Sequence, residues 1–127
     1  MSDKEAGVKT ILAIDDDPNV LKLLESILGP EGYQVIVAAD GAYGMTLLNE
    51  DKPDLVLLDI GMPGPDGYEV LERIRACSAV PVIMLTGTLG TESVRKCLNL
   101  GADDYVRKPF SPREFVARIQ VKLRKTG

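Results

Sequence analysis

The feature that most constrains this chain is an alternation, repeated five times, of a short apolar run with a helix-like segment. The runs Thr10–Ile14, Gln34–Ala38, Leu55–Leu58, Pro81–Leu85 and Asp104–Val106 are rich in β-branched residues and read as strands. A run such as Leu55-Val-Leu-Leu58 has no polar position, which suits a strand covered on both faces of a parallel sheet. Between the runs lie helix-like segments. Pro18–Leu28 carries Val20, Leu23, Leu24, Ile27 and Leu28 at helical spacing, with Asp17 placed to cap it and Pro18 at its first position. Gly41–Glu50, Gly67–Arg75 and Glu92–Leu100 follow. The last helix opens on Ser111-Pro112-Arg113-Glu114, a capping-box pattern, and Phe115, Ile119 and Leu123 then form one apolar stripe.

Strand and helix in strict alternation imply an α/β fold, a doubly wound parallel sheet of five strands. With right-handed crossovers the expected strand order is 2-1-3-4-5, the flavodoxin-like (βα)5 arrangement. The 127 residues fit one domain, and 45% hydrophobic residues can build its core. We place a flexible tail at 1–9, the domain at 10–124, and a tail or cut linker at 125–127.

Several function classes are set aside by composition. The chain has no histidine, which removes histidine-based acid–base catalysis, histidine metal ligands and a phosphohistidine of its own. Cys77 and Cys97 lack metal-type spacing and read as two reduced packing thiols. A net charge of −4 does not suggest nucleic-acid binding by this segment. The polar start is not a signal peptide and no apolar run is long enough to span a membrane, so the expected setting is cytoplasmic. From Arg107 onward seven basic residues face one acidic residue, Glu114. Cations toward the end of a terminal helix suit its dipole, and they also suit a partner surface.

Ligands of such sheets bind beyond the carboxyl ends of the strands. Strand 1 ends at Asp15-Asp16-Asp17, strand 3 at Asp59 and strand 4 at Thr86, while strand 5 is followed by Lys108-Pro109. In the expected order, neighbouring strands put Asp16 and Asp59 roughly 5 Å apart, within reach of one shared ion. Thr86 then flanks Asp59, and Lys108 reaches over from two strands away. Clustered carboxylates raise each other's pKa unless a cation intervenes, and Mg²⁺ (or Mn²⁺) suits an oxygen-only set. A carboxylate that can attack phosphorus, a hydroxyl donor and a lysine together point to phosphoryl transfer onto Asp59. With no phosphate-binding glycine loop in the chain, the donor comes from elsewhere.

Four segments, in order, resemble the response-regulator receiver domains of two-component signalling. They are Ile11-Leu-Ala-Ile-Asp-Asp-Asp-Pro18, Asp54-Leu-Val-Leu-Leu-Asp-Ile-Gly-Met-Pro-Gly-Pro-Asp-Gly67, Pro81-Val-Ile-Met-Leu-Thr-Gly87 and Gly101-Ala-Asp-Asp-Tyr-Val-Arg-Lys-Pro-Phe110. The resemblance implies Asp59 as phosphoacceptor, Asp16 as a direct Mg²⁺ ligand, Asp15 as a ligand through water, and the Gly61 carbonyl as a further ligand. It implies Thr86 as switch hydroxyl, Tyr105 as switch aromatic, Lys108 as the phosphate-pairing lysine, and a cis bond before Pro109. Asp66 and Gly67 resemble the turn that closes the loop behind the site. The implied partner is a histidine kinase or phosphotransfer protein.

The same resemblance implies a changed face of helix 4, strand 5 and helix 5, and a homodimer through it. Asp103, Asp104, Glu114, Arg118 and Lys125 resemble the charged dimer face of the winged-helix transcription-factor branch, whereas Val94 and Leu100 replace charges common there. Gly87 stands where alanine is common. Gly61 and Thr88 flank the site where the family varies its dephosphorylation rate, and a glycine at 61 argues against a long-lived phosphoryl group. Two rivals remain. A haloacid-dehalogenase-type phosphatase shares the Asp15-Asp16-Asp17 start, but Asn19 departs from its pattern and Asp59 goes unexplained. A degenerate receiver acting only as an interaction module conflicts with the complete set of site residues.

Overall fold

The computed structural model describes residues 7–61, 67–87 and 91–126. Asp66, Thr88 and the side chain of Lys125 lie outside the described set. Five parallel strands, β1 (Thr10–Ile14), β2 (Gln34–Ala38), β3 (Leu55–Asp59), β4 (Val82–Thr86) and β5 (Asp104–Arg107), form one sheet in the order β2-β1-β3-β4-β5. The helices are α1 (Pro18–Leu28), α2 (Gly41–Asp51), α3 (Gly67–Cys77), α4 (Thr91–Asn99) and α5 (Pro112–Thr126). The strand order and fold class are those expected from the sequence.

The pleat sorts the central strands into two cores. Leu12, Ile14, Val56, Leu58, Val82 and Met84 face α2, α3 and α4, where Leu47, Leu48, Val70, Leu71, Ile74 and Cys97 pack. Ile11, Ala13, Leu55, Leu57, Ile83, Leu85 and Val106 face α1 and α5. This is the period of two written across three neighbouring strands, which is why their sequences read as unbroken apolar runs.

Several element limits differ from expectation. β3, β4 and β5 each run one residue past their last apolar residue. Backbone pairing ignores side-chain polarity: Ile60 N–H donates to Leu85 O (3.1 Å) and Lys108 N–H to Thr86 O (2.7 Å). β4 begins after Pro81, which has no N–H to give but accepts from Val56 at 2.9 Å. α2 and α3 extend to Asp51 and Cys77, α4 is shifted back by one residue, and α5 continues through Thr126 into the expected tail. Cys77 is exposed in the last turn of α3, so only Cys97 is a packing thiol.

The α1 stripe is also corrected. Leu21, Leu24 and Leu28 are buried, whereas Leu23 faces solvent, because the sheet meets the helix about one position away from the most apolar arc. Asp17 caps α1 as expected, accepting from Asn19 N–H at 2.9 Å. In α5, Ser111 Oγ accepts from Glu114 N–H at a long 3.5 Å, and the Glu114 carboxylate turns to Arg118. Phe115, Ile119 and Leu123 form the buried stripe. Phe115 is fully buried and stacks near Phe110, with ring centroids 4.6 Å apart. Phe115→Ala is expected to lower unfolding free energy by about 3–5 kcal/mol, measured by urea denaturation.

Candidate phosphoryl-transfer site

Parallel pairing aligns the carboxyl ends of β1, β3, β4 and β5 at one edge of the sheet. Ile14 lies opposite Leu58 and Asp59 opposite Leu85, while Thr86 lies opposite Arg107. Asp15 is the first residue past β1, held by its N–H to Ala38 O at 3.1 Å. The pleat then assigns sides. Asp15, Asp59 and Lys108 continue the alternation that faces α1 and α5. Thr86 and Tyr105 continue the one that faces α3 and α4.

Asp15 is fully buried, Asp59 is 6% exposed and Asp16 is open to solvent. One carboxylate oxygen from each lies within 4.8 Å of the others, matching the separation expected from strand spacing. Three hard oxygen donors this close suit a small divalent cation such as Mg²⁺ or Mn²⁺. Lys108 does reach over two strands: its Nζ lies 2.9 Å from Asp15 Oδ2 and 3.2 Å from Asp59 Oδ1. The Lys108–Pro109 bond is cis.

Backbone amides complete the setting. Asp17 N–H donates to Asp15 Oδ1 (2.9 Å) and Gly61 N–H to Asp59 Oδ1 (3.2 Å). The Gly61 contact has no sequence signal, since any residue there but proline could supply the amide. Gly67 has a steric reason: its N–H donates to Ile60 O at 3.1 Å. A Cβ at that position would press on Asp59 O and come within 2.5 Å of Ile60 Cα.

Burial pushes the Asp15 carboxyl above its ordinary value, with the Asp59 charge adding to the push. The Asp17 amide and Lys108 hold it back. Burial opposes the Lys108 ammonium, but the hydrogen bond to Asp15 and the charges of Asp59 and Asp15 outweigh it and lift Lys108 above its ordinary value.

Thr86 is 2% exposed, while Tyr105, one strand over beside Met84, is 37% exposed. Asp103 is exposed, and it also pairs with Arg75 Nη2 at 2.9 Å and accepts from Val82 N–H at 2.8 Å. Asp104 and Glu114 bind Arg118 within the same chain, at 2.9 and 3.2 Å.

Residues 11–120 match the family model described as the response regulator receiver domain. The chain belongs to that family. Among curated relatives, the DNA-binding response regulator MtrA of Mycolicibacterium smegmatis is 46% identical over 115 residues, covering 91% of this chain and 50% of that protein. The probable transcriptional regulator ycf27 of Cyanophora paradoxa is 45% identical, covering 96% of this chain and 51% of that protein. The receiver thus spans about half the length of these relatives. Solved structures agree on the fold. A CheY-like receiver domain protein from Methanospirillum hungatei superposes with TM-score 0.88 at 36% identity, covering 94% of this chain and 96% of that one. The BeF3-activated N-terminal receiver domain of Klebsiella pneumoniae RstA gives 0.87 at 34%, covering 91% and 98%.

The site makes a pH prediction. Because the folded pKa of Lys108 is raised, its contribution to stability is complete below the ordinary value of 10.5 and is lost as pH rises through the folded value. In metal-free buffer, Lys108→Met is expected to lower unfolding free energy by about 1–3 kcal/mol at neutral pH. The gap between wild type and variant should stay flat to the ordinary lysine range and shrink above it. Denaturant titrations across that range measure this.

Proposed function

We propose that this receiver takes a phosphoryl group on Asp59 from the phosphohistidine of a histidine kinase or phosphotransfer protein. The observation that carries the reading is the meeting of Asp59, Asp15, Asp16 and Lys108 at one sheet edge. An Asp59 carboxylate oxygen forms the new bond to phosphorus as the bond to the donor nitrogen breaks, and that nitrogen keeps the bonding pair. Lys108 can leave Asp15 to pair with a phosphoryl oxygen, and Thr86 can donate its hydroxyl to another. Asp15, Asp16, Asp59 and the Gly61 carbonyl would hold Mg²⁺ (or Mn²⁺), which when bound neutralises charge on the phosphoryl oxygens.

The chain's own chemistry is then limited to uptake and hydrolytic loss of that group. A side chain built at Gly61 meets nothing within 4 Å, so water has room to approach there. A phosphoryl half-life of many hours would contradict this part. As the output we assign transcription, because the matched relatives are named as transcriptional or DNA-binding regulators. The test is Mg²⁺-dependent labelling by a small phosphodonor, read by intact mass. Wild type should gain one phosphoryl group and Asp59→Asn none. Retained labelling in Asp59→Asn, with loss only in Asp15→Asn, would favour the phosphatase reading.

The signal would run from Thr86 to Tyr105, which share one side of the sheet. New charge at Asp59 draws Thr86 toward it and leaves room for the tyrosine ring to turn inward, selecting a conformation already present as a minority. The face so changed carries three exposed apolar side chains: Leu98 (46% exposed), Tyr105 (37%) and Val121 (39%). Leu98 lies on the flank of α4 turned from α3, since Lys96 occupies the other. Val121 lies near Arg118, on the β5 side of α5.

This face supports the homodimer reading, with a seam more apolar than charged because Arg118 already has partners in its own chain. Phosphorylated protein should dimerise, Leu98→Asp and Val121→Asp should weaken the dimer at least about tenfold, and added salt should change it little. Sedimentation equilibrium reads all three.

A further inference from the structure

Capping α1 occupies only part of Asp17, and the rest of the residue leads to the charge cluster. Its side chain accepts from Asn19 N–H at 2.9 Å. Its C=O accepts from Val20 and Leu21 N–H, at 3.1 and 3.2 Å. Its own N–H points the other way and donates to Asp15 Oδ1 at 2.9 Å. Asp17 therefore joins the first turn of α1 directly to the buried carboxylate.

Both ends of this link are firmly held. α1 buries Leu21, Leu24 and Leu28 in the core it shares with Ile11, Leu55 and Phe115. Pro18 fixes the backbone at the helix start and has no N–H, so Asn19 carries the first amide that needs a cap. On the other side, Asp15 is fully buried and its N–H donates to Ala38 O at 3.1 Å. The Asp15 side chain is gripped at both oxygens: Oδ1 by the Asp17 amide and Oδ2 by Lys108 Nζ at 2.9 Å. Asp16, by contrast, is open to solvent.

A carboxylate with one oxygen on a fixed amide cannot turn about its last bond without losing that hydrogen bond. Asp15 therefore keeps Oδ2 on the side of Lys108, which also reaches Asp59 at 3.2 Å. The amide in turn stays in place only while the first turn of α1 is closed, and the Asp17 side chain closes it.

We propose that Asp17 is a positioning residue of the phosphoryl site: by capping α1 it fixes its own amide on Asp15 Oδ1, and so sets the orientation in which Asp15 meets Lys108 and a divalent cation. The capping oxygen does this, not the charge of the Asp17 carboxylate. Groups that orient a metal ligand commonly contribute ten- to hundredfold to metal affinity. The metal half of this role rests on the Mg²⁺ reading above; the Lys108 half does not.

The test uses the full chain and MgCl₂, with binding read by titration calorimetry. Asp17→Ala should weaken Mg²⁺ binding about tenfold. Asp17→Asn keeps a capping oxygen and drops the charge, and should stay within about twofold of wild type. Asp40→Ala is the control. It removes the matching cap of α2, where Asp40 accepts from Tyr43 N–H at 2.8 Å, and should leave Mg²⁺ affinity unchanged at a similar cost in urea stability. A metal-free arm combines Asp17→Ala with Lys108→Met. Because both act on the one Asp15 carboxylate, the folding constant of the double variant should depart from the product of the single effects by at least about fivefold. Asp40→Ala and Lys108→Met should act independently. Unchanged Mg²⁺ affinity in Asp17→Ala would overturn the proposal. So would equal weakening in Asp17→Asn, equal weakening in Asp40→Ala, or independence of Asp17→Ala and Lys108→Met. Metal-free coupling in a wild type that binds no Mg²⁺ would uphold the positioning role and sink the Mg²⁺ reading alone.

Discussion

The carboxyl edge of this sheet depends on one cation. Asp15 is wholly buried and Asp59 nearly so, directly above an apolar core. Two carboxylates so placed are costly unless each has a counter-charge. The Lys108 ammonium touches both. The acids arrive on β1 and β3, and the lysine follows β5. Only the 2-1-3-4-5 order brings those ends within reach of one side chain. The fold thus permits the charge cluster, and the lysine permits the fold to keep its acids at an apolar edge. The same cation is the group that an incoming phosphoryl oxygen would take over.

The pleat divides the labour around that edge. Asp15, Asp59 and Lys108 continue the side of the sheet covered by α1 and α5, whose buried leucines and Phe115 stripe pack deeply. Thr86 and Tyr105 continue the other side, toward α4, the helix with the fewest buried side chains among those described. The groups proposed for chemistry thus lie on the side of α1 and α5, and those proposed to carry the signal on the side of α3 and α4.

Much of this was legible in the chain. Strand identity followed from unbroken apolar runs, strand order from alternation and handedness, and the site from reading which residues fall at the carboxyl ends. What escaped was whatever backbone hydrogen bonding or three-dimensional neighbours decide. β3, β4 and β5 continue past their apolar residues because N–H and C=O groups pair regardless of side chain. Leu21 replaces Leu23 on the inner face of α1 because the sheet, not the helix alone, selects the buried arc. That the exposed Asp103 also pairs with Arg75 escaped, because the two are 28 residues apart in sequence. No local pattern announces such a pair.

The sequence by itself determined the alternation, and with it the parallel sheet and the edge where polar residues collect, because a period of two and a period of 3.6 are local properties of a chain. Tertiary structure alone decided that Lys108, which the sequence put within reach of Asp59, closes on Asp15 as well, that Asp16 rather than Asp15 faces solvent, and that Arg75 bonds the turn after α4. Each of these depends on side chains brought together from distant segments, where burial, reach and hydrogen-bond geometry choose among partners that a linear reading cannot rank.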